Sequence, residues 1–486
     1  MTNATVSDHI TGLLIDGAWA APSNDQWLET TAPADGQVFG RIARAGAADV
    51  NRAVGSARRA LQGNWGRLNA VERGRLLLRA AQIVQDRAED LAQLEARDTG
   101  KPIAQARADI AACARYLEYY AGAADKVHGH TIPVQNGYFA ATEHVPHGVT
   151  AHVIPWNYPA QMFPRSIGPA LAMGNAVVMK PAEDACATPL ELAAIMIEAG
   201  FPPGSLNMVT GLGSEAGAAL SEHPDINFIS FIGSSETGVA IQTAAAKNHI
   251  GCTLELGGKS AQIVFADADP ALVVPTVVGA VTQHAGQTCS AGSRLLIERS
   301  AMDTLVPLIA DAFSKVRVVM PDMEGQLGPL INPRQKDRVE RFLNFADSSG
   351  LPLLAKGQMA ADLSPQGNFV EPHMYGPVPR DHRLAHEEVF GPVLAVIPFE
   401  DEADAVALAN STEYGLVAGI WTRDSARALR VGRQMEVGQV FVNCYGAGGG
   451  IELPFGGMKK SGHGREKGWE ALLEFAAVRT ILIRHD

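Results

Sequence analysis

The sequence predicts an α/β protein built around parallel sheet. Two observations carry this. From about residue 149, short apolar runs alternate with helical stretches, and a second region of the same texture spans about 270–440. Strand–helix alternation at this spacing implies right-handed βαβ units. The chain has 486 residues, 47% of them hydrophobic and 19% charged. At roughly 100–200 residues per domain, that length suggests about three domains, or two with an inserted element.

The elements follow in order. In LLIDGAW, Asp16-Gly17 between apolar runs is a hairpin signal. Residues 45–98 read as helical, with a stop at Gly100 and Pro102 just beyond. Segment 130–148 alternates, with Asn136-Gly137 as a hairpin turn. The strand candidates are VTAHVIP (149–155), NAVVMK (175–180), LNMVTG (206–211), NFISFIG (227–233) and SAQIVFAD (260–267). The helix TPLELAAIMIEAG is expected to have Thr188 as N-cap, Pro189 in the first turn and Gly200 past its end. In the second region the strands are GSRLLIER (292–299), PVLAVIPF (392–399) and LVAGIWT (416–422). A glycine-rich stretch, GAGGG (446–450), precedes LPFGG, and FAAVRTILIRHD reads as a terminal strand.

Composition excludes several classes. A net charge of −12 argues against a general binder of nucleic acid or anionic membrane. No apolar run reaches the ~18 residues of a membrane span. The first residues, MTNATVSDHITGLL, lack the basic and apolar regions of a secretory signal. The five cysteines are Cys113, Cys186, Cys252, Cys289 and Cys444. An odd number, widely spaced and without CxxC, disfavours a disulfide framework or thiolate zinc site and suits a reducing cytoplasm. No metal site is expected.

Cys289, in GQTCSAGSR, has small, polar neighbours that suit an accessible loop, so both a nucleophile and a packed thiol are open readings. Cys113 and Cys186 fall in or beside helices, Cys252 and Cys444 in strand-like segments. Glu255, in LELGGKS, is either a salt-bridged carboxylate or a general base whose pKa burial raises. Asn157, in VIPWNYP, can satisfy backbone groups or donate to an oxyanion. Glycines 211, 213 and 217, and 233 and 238, follow strands and open helices, where backbone N–H groups favour anions. Lys180 and Glu183 also follow a strand end.

The motifs VIPWNYP, VVMKPAE, GFPPGSLNMVTG, FIGSSETG, LELGGKS, GQTCSAGSR, EEVFGPV and LPFGGMKKSGHGRE occur in this one order. Together they resemble the NAD(P)-dependent aldehyde dehydrogenase superfamily, from about residue 12 to the end. The resemblance implies an aldehyde-dehydrogenase-like α/β fold. A Rossmann-like cofactor domain would take residues 1–123 and 147–256. An α/β catalytic domain would take 257–446, with 447–473 returning near the active site. A small β oligomerisation element would take 124–146 and 474–486, making a homodimer or homotetramer.

The resemblance also implies roles. Cys289 would attack the aldehyde, Asn157 and the Cys289 backbone N–H would hold the oxyanion, and Glu255 would activate water on the thioester. Cofactor contacts would come from Ile154, Pro155, Trp156, Lys180, Glu183, Gly213, Gly217, Phe231, Gly233, Ser234, Leu256, Glu388 and Phe390. Glu183 favours free ribose hydroxyls, hence NAD, with NADP admitted. The presence of Glu255 matches the acid-forming branch rather than the CoA-acylating one. Tyr158, Thr288, Ser290 and Arg165 are the substrate candidates, and Glu466 matches a relay carboxylate.

Two departures stand out. Arg165-Ser166 replaces the Trp-Lys of many members, which puts in doubt a lysine relay with Glu466. Arg165 matches a position where semialdehyde dehydrogenases bind a substrate carboxylate; a structural ion pair is the other reading. The second arginine that often helps them is missing from VTQHAGQT. The substrate is thus a carboxylated semialdehyde or another small aliphatic or aromatic aldehyde. A cysteine-dependent esterase and a non-enzymatic protein on the same scaffold are the alternatives.

Overall fold

A computed structural model describes residues 12–323, 325–446 and 450–485. The signal reading of residues 1–11 and the centre of the glycine-rich stretch, 447–449, lie outside the described residues. Among the described residues, no helix is long and apolar enough to cross a membrane.

The first sheet has five parallel strands at its centre, in the spatial order Leu206–Met208, Ala176–Pro181, Val149–Ile154, Phe228–Ile232, Gly251–Glu255. Its first strand in the chain, Val149–Ile154, therefore lies between the second and the fourth. Strand order reverses there, and loops leaving the two C-terminal ends diverge to open a crevice. At one edge Leu13–Ile15 and Ala18–Ala20 form the expected hairpin, with Asp16 and Gly17 at φ 57° and 75°. At the other edge Gly462–His463 returns antiparallel to Gly251–Glu255 and pairs Gly462 with Glu255.

The second sheet has Ala261–Val264 between Arg294–Glu298 and Val417–Trp421, all parallel. Val393–Phe399, His373–Tyr375 and Gln439–Val442 extend it. Each sheet has its own apolar core. The third sheet pairs Ala476–Arg484 along Tyr138–Pro146, with Thr131–Ile132 at its edge.

The helices obey their local signals. Asn69 and Glu72 form a capping box on Ala70–Asp86, and left-handed Gly100 closes Ala88–Thr99. Pro159–Met173 is apolar nearly all round and buried along its length. It carries Arg165 and Ser166 into the interior, where both need partners.

Two expectations are corrected and one is refined. The helix expected to be capped by Thr188 runs Ala187–Glu198, with Cys186 at the N-cap. The Asp98 carboxylate accepts the Ala187 N–H at 2.8 Å, so a distant residue supplies the cap. Asn136-Gly137 forms the turn expected between the antiparallel strands Thr131–Ile132 and Tyr138–Pro146, with Gly137 at φ 87°, inside a connection longer than two residues. Cys444 is exposed beyond the Gln439–Val442 strand rather than within it.

Gly100 illustrates the backbone constraint. Its φ is 77°, and a Cβ there would lie 2.6 Å from Pro329 Cγ. Gly100→Ala is expected to lower unfolding free energy by about 1–3 kcal/mol. Gly122→Ala, in a helix with open space, should be neutral or stabilising. Denaturant melts of the two variants check this.

Candidate active site

Cys289 sits on a turn that the chain holds under strain. His284, Ala285 and Gly286 are successive left-handed residues, at φ 48°, 54° and 71°. Side-chain-bearing residues adopt this at a cost of order 1–3 kcal/mol each, so neighbours must impose it. Gln287, fully buried, is the pillar. Its amide nitrogen donates to His284 O at 3.1 Å, and its amide oxygen accepts from Ile331 N at 2.9 Å. Gln105 Oε1 accepts the His284 N–H at 2.9 Å. The half-buried Cys289 side chain packs beside Leu416, Val417 and Phe455.

Two cavities meet at this cysteine. One, of about 230 Å³, lies at the strand-order reversal and reaches Trp156, Asn157, Gly233, Glu255, Glu388 and Phe390. The other, of about 400 Å³, is walled by Tyr158, Arg165, Thr288, Ser290 and Phe455. The substrate candidates Tyr158, Arg165, Thr288 and Ser290 are thus brought together. Tyr158 and Thr288 share a hydroxyl hydrogen bond at 2.8 Å, and Tyr445 donates to Ser290 O at 2.8 Å.

Asn157 leaves the end of Val149–Ile154 and is held at both ends. Its side-chain nitrogen donates to Gln287 O at 2.9 Å. A primary amide carries two hydrogens, so one remains for a ligand oxygen. Its backbone carbonyl accepts from Lys101 Nζ at 3.1 Å. Lys101 is wholly buried, ion-paired to Glu95 Oε1 at 2.8 Å and to Asp109, with Nζ 4.5 Å from the Tyr158 ring centroid. Sequence reasoning missed Lys101; its signal was a lysine directly after the Gly100 helix stop.

Glu255 ends its strand 3% exposed, and neither carboxylate oxygen has a hydrogen-bond partner. A Cβ on Gly456 of LPFGG would come within 2.8 Å of it. Burial and then nearby Glu466 raise its proton affinity well above that of an ordinary carboxylate, against Arg165 and Arg465. Glu466, equally buried, forms an ion pair with Arg165 Nε at 2.6 Å. Burial opposes the charge on Arg165, but Glu466 outweighs it and keeps the guanidinium cationic. Ser166, in place of a lysine, bonds His152 Nδ1 at 2.8 Å and Ser230 Oγ at 3.2 Å. The Cys289 thiol is pushed up to about 12 by burial, with Arg165 pulling it down and Glu255 and Glu388 pushing it up.

The remaining cofactor candidates fall into three groups. Pro155, Trp156, Gly233, Ser234, Glu388 and Phe390 line the smaller cavity. Glu388 Oε1 accepts from Gly258 N at 2.8 Å, and burial pushes its carboxyl up to about 7. Phe390 meets Trp156 edge to face at 5.4 Å, and its carbonyl is held by Gln335 at 2.7 Å. Lys180 Nζ donates to Glu183 Oε2 at 2.6 Å, and Gly213 N donates to Glu183 Oε1 at 3.3 Å. Gly217 sits beside the Lys180 stem. Ile154, Phe231 and Leu256 belong to the apolar core of the first sheet; a Cβ on Gly233 would lie 2.6 Å from Phe231 Cζ and one on Gly238 2.8 Å from Leu256. Among the described residues, no group of three His, Cys, Asp or Glu could hold a metal ion.

The chain resembles known proteins throughout. The model of the "Aldehyde dehydrogenase family" matches residues 19–481. The Arabidopsis thaliana "Aldehyde dehydrogenase family 2 member B4, mitochondrial" is 40% identical over 484 residues, 99% of this chain and 89% of that relative. A Burkholderia cenocepacia crystal structure, provisionally described as an aldehyde dehydrogenase, is 56% identical, with a TM-score of 0.97 over 98% of this chain and 100% of that one. The betaine aldehyde dehydrogenase of Staphylococcus aureus in complex with NAD+ is 34% identical, with a TM-score of 0.95 over 98% of this chain and 95% of that one.

Burial raises the thiol, so its ionised fraction keeps growing through neutral pH and above. Alkylation of Cys289 by iodoacetamide, followed on its peptide by mass spectrometry, should rise about tenfold per pH unit from pH 7 to 9 without a plateau. Arg165→Gln should slow it at every pH, because the stabilising cation is lost. A plateau near pH 8 would contradict the geometry.

Proposed function

The chain belongs to the aldehyde dehydrogenase family, and on that premise we propose how its own residues carry the reaction. It is an NAD(P)-dependent oxidoreductase that converts an aldehyde into the carboxylic acid. The observation that carries the assignment of roles is the place of Cys289, where a cavity at the strand-order reversal meets a second cavity, with the unpartnered Glu255 carboxylate at the first.

The residues present fit a dinucleotide. The smaller cavity lies outside the carboxyl ends of parallel strands, where such ligands bind. A Cβ on Gly257 would lie 2.3 Å from the Glu388 carboxylate, so glycine keeps that carboxylate in place. Ser234, the N-cap of Ser235–Lys247, opens a helix whose N–H groups suit a pyrophosphate. Lys180 and Glu183 offer a donor and an acceptor for ribose hydroxyls, and Glu183 would repel a 2′-phosphate. NAD, when bound, supplies the two-electron acceptor for the formyl hydrogen.

Glu255 takes the Cys289 proton, and the thiolate sulfur bonds to the aldehyde carbon. The carbonyl oxygen becomes an oxyanion, held by the second Asn157 amide hydrogen and the Cys289 backbone N–H. Oxidation leaves an acyl thioester on Cys289. Once Glu255 has passed the thiol proton on to solvent, its carboxylate takes a proton from water, hydroxide adds to the acyl carbon, the C–S bond breaks with its electron pair returning to the Cys289 sulfur, and the acid leaves. Its raised proton affinity suits both transfers. The esterase alternative needs no cofactor crevice; the chain has one.

The substrate we favour is a small aldehyde bearing a carboxylate. The larger cavity, about 400 Å³, is near the lower end of ligand pockets, and Arg165 puts a positive charge in its wall. Five unpaired cysteines fit a reducing compartment such as the cytoplasm. The third sheet supports a homodimer or homotetramer: Val478, Leu482 and Ile483 are 64%, 60% and 50% exposed on one terminal strand. Apolar side chains on an unpaired edge invite a second copy.

Two tests follow. NADH absorbance on adding aldehyde should vanish in Cys289→Ala. The steady-state rate should fall by about 10²–10⁴ in Glu255→Gln and by about 10²–10³ in Asn157→Ala. Undiminished turnover in Cys289→Ala overturns the assignment. Leu482→Lys combined with Val478→Lys should lower the oligomeric mass read by light scattering, and an unchanged mass removes this sheet as the interface.

A further inference from the structure

Four polar side chains form a line through the core of the first sheet. Thr150 and His152 lie on Val149–Ile154, Ser230 on Phe228–Ile232 and Ser166 on the Pro159–Met173 helix. The register sets His152 beside Ser230, and residues two apart on a strand share a face. Buried hydroxyls and imidazoles need partners, and these find one another. Thr150 Oγ1 lies 2.8 Å from His152 Nε2, His152 Nδ1 2.8 Å from Ser166 Oγ, and Ser166 Oγ 3.2 Å from Ser230 Oγ. Ser230 Oγ then donates to Glu466 Oε1 at 3.4 Å. Phe475 stacks on the His152 ring with centroids 5.3 Å apart, which fixes the ring plane.

The hydrogens in this line follow from its end. An ionised carboxylate only accepts, so the single Ser230 hydroxyl hydrogen goes to Glu466. Ser230 must then accept from Ser166, and Ser166 from His152 Nδ1. Burial pushes the imidazole down to about 3, so the ring is neutral and carries one N–H. That hydrogen sits on Nδ1, and Nε2 accepts from the Thr150 hydroxyl. All the bonds run one way, from Thr150 to Glu466, and each polarises the next. Thr150 is 0% exposed, so the line ends in the core and serves to orient donors rather than to carry protons to solvent.

We propose that His152, through Ser166 and Ser230, is a positioning residue for the reaction: its Nδ1–H tautomer orients both serine hydroxyls so that Ser230 donates to Glu466 and holds that carboxylate ionised beside Glu255. The inference rests on the base role proposed above for Glu255. Arg165, Ser230 and Lys467 favour ionised Glu466 against burial, and the buried phenols of Tyr116 and Tyr120 also lie in its field. Charged Glu466, after burial, raises the proton affinity of Glu255, which also meets the charges of Arg165, Arg465 and Glu474 and lies near the Cys289 thiol. Loss of the Ser230 donor makes Glu466 easier to protonate, and a neutral Glu466 no longer opposes ionisation of Glu255. The base then becomes active at lower pH.

Nitrogen-15 spectra of histidine-labelled protein read the tautomer directly, with His152 assigned by the signal lost in His152→Gln. At about pH 7 the ring should be Nδ1–H in the wild type and shift towards Nε2–H in Ser230→Ala, where Ser166 is free to donate to it. The pH profile of kcat/KM for NADH formation from propanal is the second readout. Its acid limb should move down by about half a unit in Ser230→Ala and stay in place in Ser230→Thr, which keeps the hydroxyl. An imidazolium or an Nε2–H ring in the wild type overturns the proposal. So does a folded Ser230→Ala that loses rate equally at every pH. No NADH from any aldehyde would instead overturn the proposed function, and the tautomer is read without turnover.

Discussion

The buried ion pair between Arg165 and Glu466 is the interaction on which the site depends. Removing each ion from water costs several kcal/mol, and only a close partner offsets it. The pair joins the buried Pro159–Met173 helix to the returning C-terminal segment, whose Gly462–His463 strand lies against the strand ending in Glu255. Breaking it would strand a charge in the interior and loosen that segment together. Its two charges act in opposite senses on their neighbours. The guanidinium favours ionised Cys289, whereas Glu466 favours protonated Glu255. Burial raises both groups first, and this one contact then acts on Cys289 and Glu255 in opposite senses.

A second constraint is rigidity. Lys101, with Glu95 and Asp109, holds the Asn157 carbonyl beneath the strand end. Gln287 braces the left-handed turn before Cys289 and also takes the Asn157 amide. The Asn157 amide and the turn before Cys289 thus share a common support in Gln287. Catalysis by preorganised donors needs that, because a donor that must be moved into place gives back part of its benefit. The Glu388–Phe390 wall is built likewise, with Gln335 and Arg338 pinning its carbonyls.

The contact between Arg165 and Glu466 bears on the relay question. Arg165, one position before Ser166, makes the contact with the Glu466 carboxylate. Arg165 therefore combines the two readings open to it: it is ion-paired and it faces the substrate cavity. A guanidinium can do both, since its several N–H groups point in different directions while its charge is delocalised.

The sequence by itself determined what depends on local backbone preference and on side-chain period. The Asp16-Gly17 turn, the Gly100 stop and the parallel strands around 149–264 were legible because turn residues and apolar runs act over a few positions. Cys289, Glu255 and Asn157 stood out through the order of their motifs, which periodicity alone would not single out. The tertiary structure decided everything that needed partners distant in the chain. Asp98 replaces Thr188 as the cap of Ala187–Glu198, because a carboxylate fixed on another helix reaches the first N–H. Lys101 gains meaning only once folding has buried it beneath Asn157. Charge in a low-dielectric interior is governed by what surrounds it in space, and one-dimensional order does not carry that information.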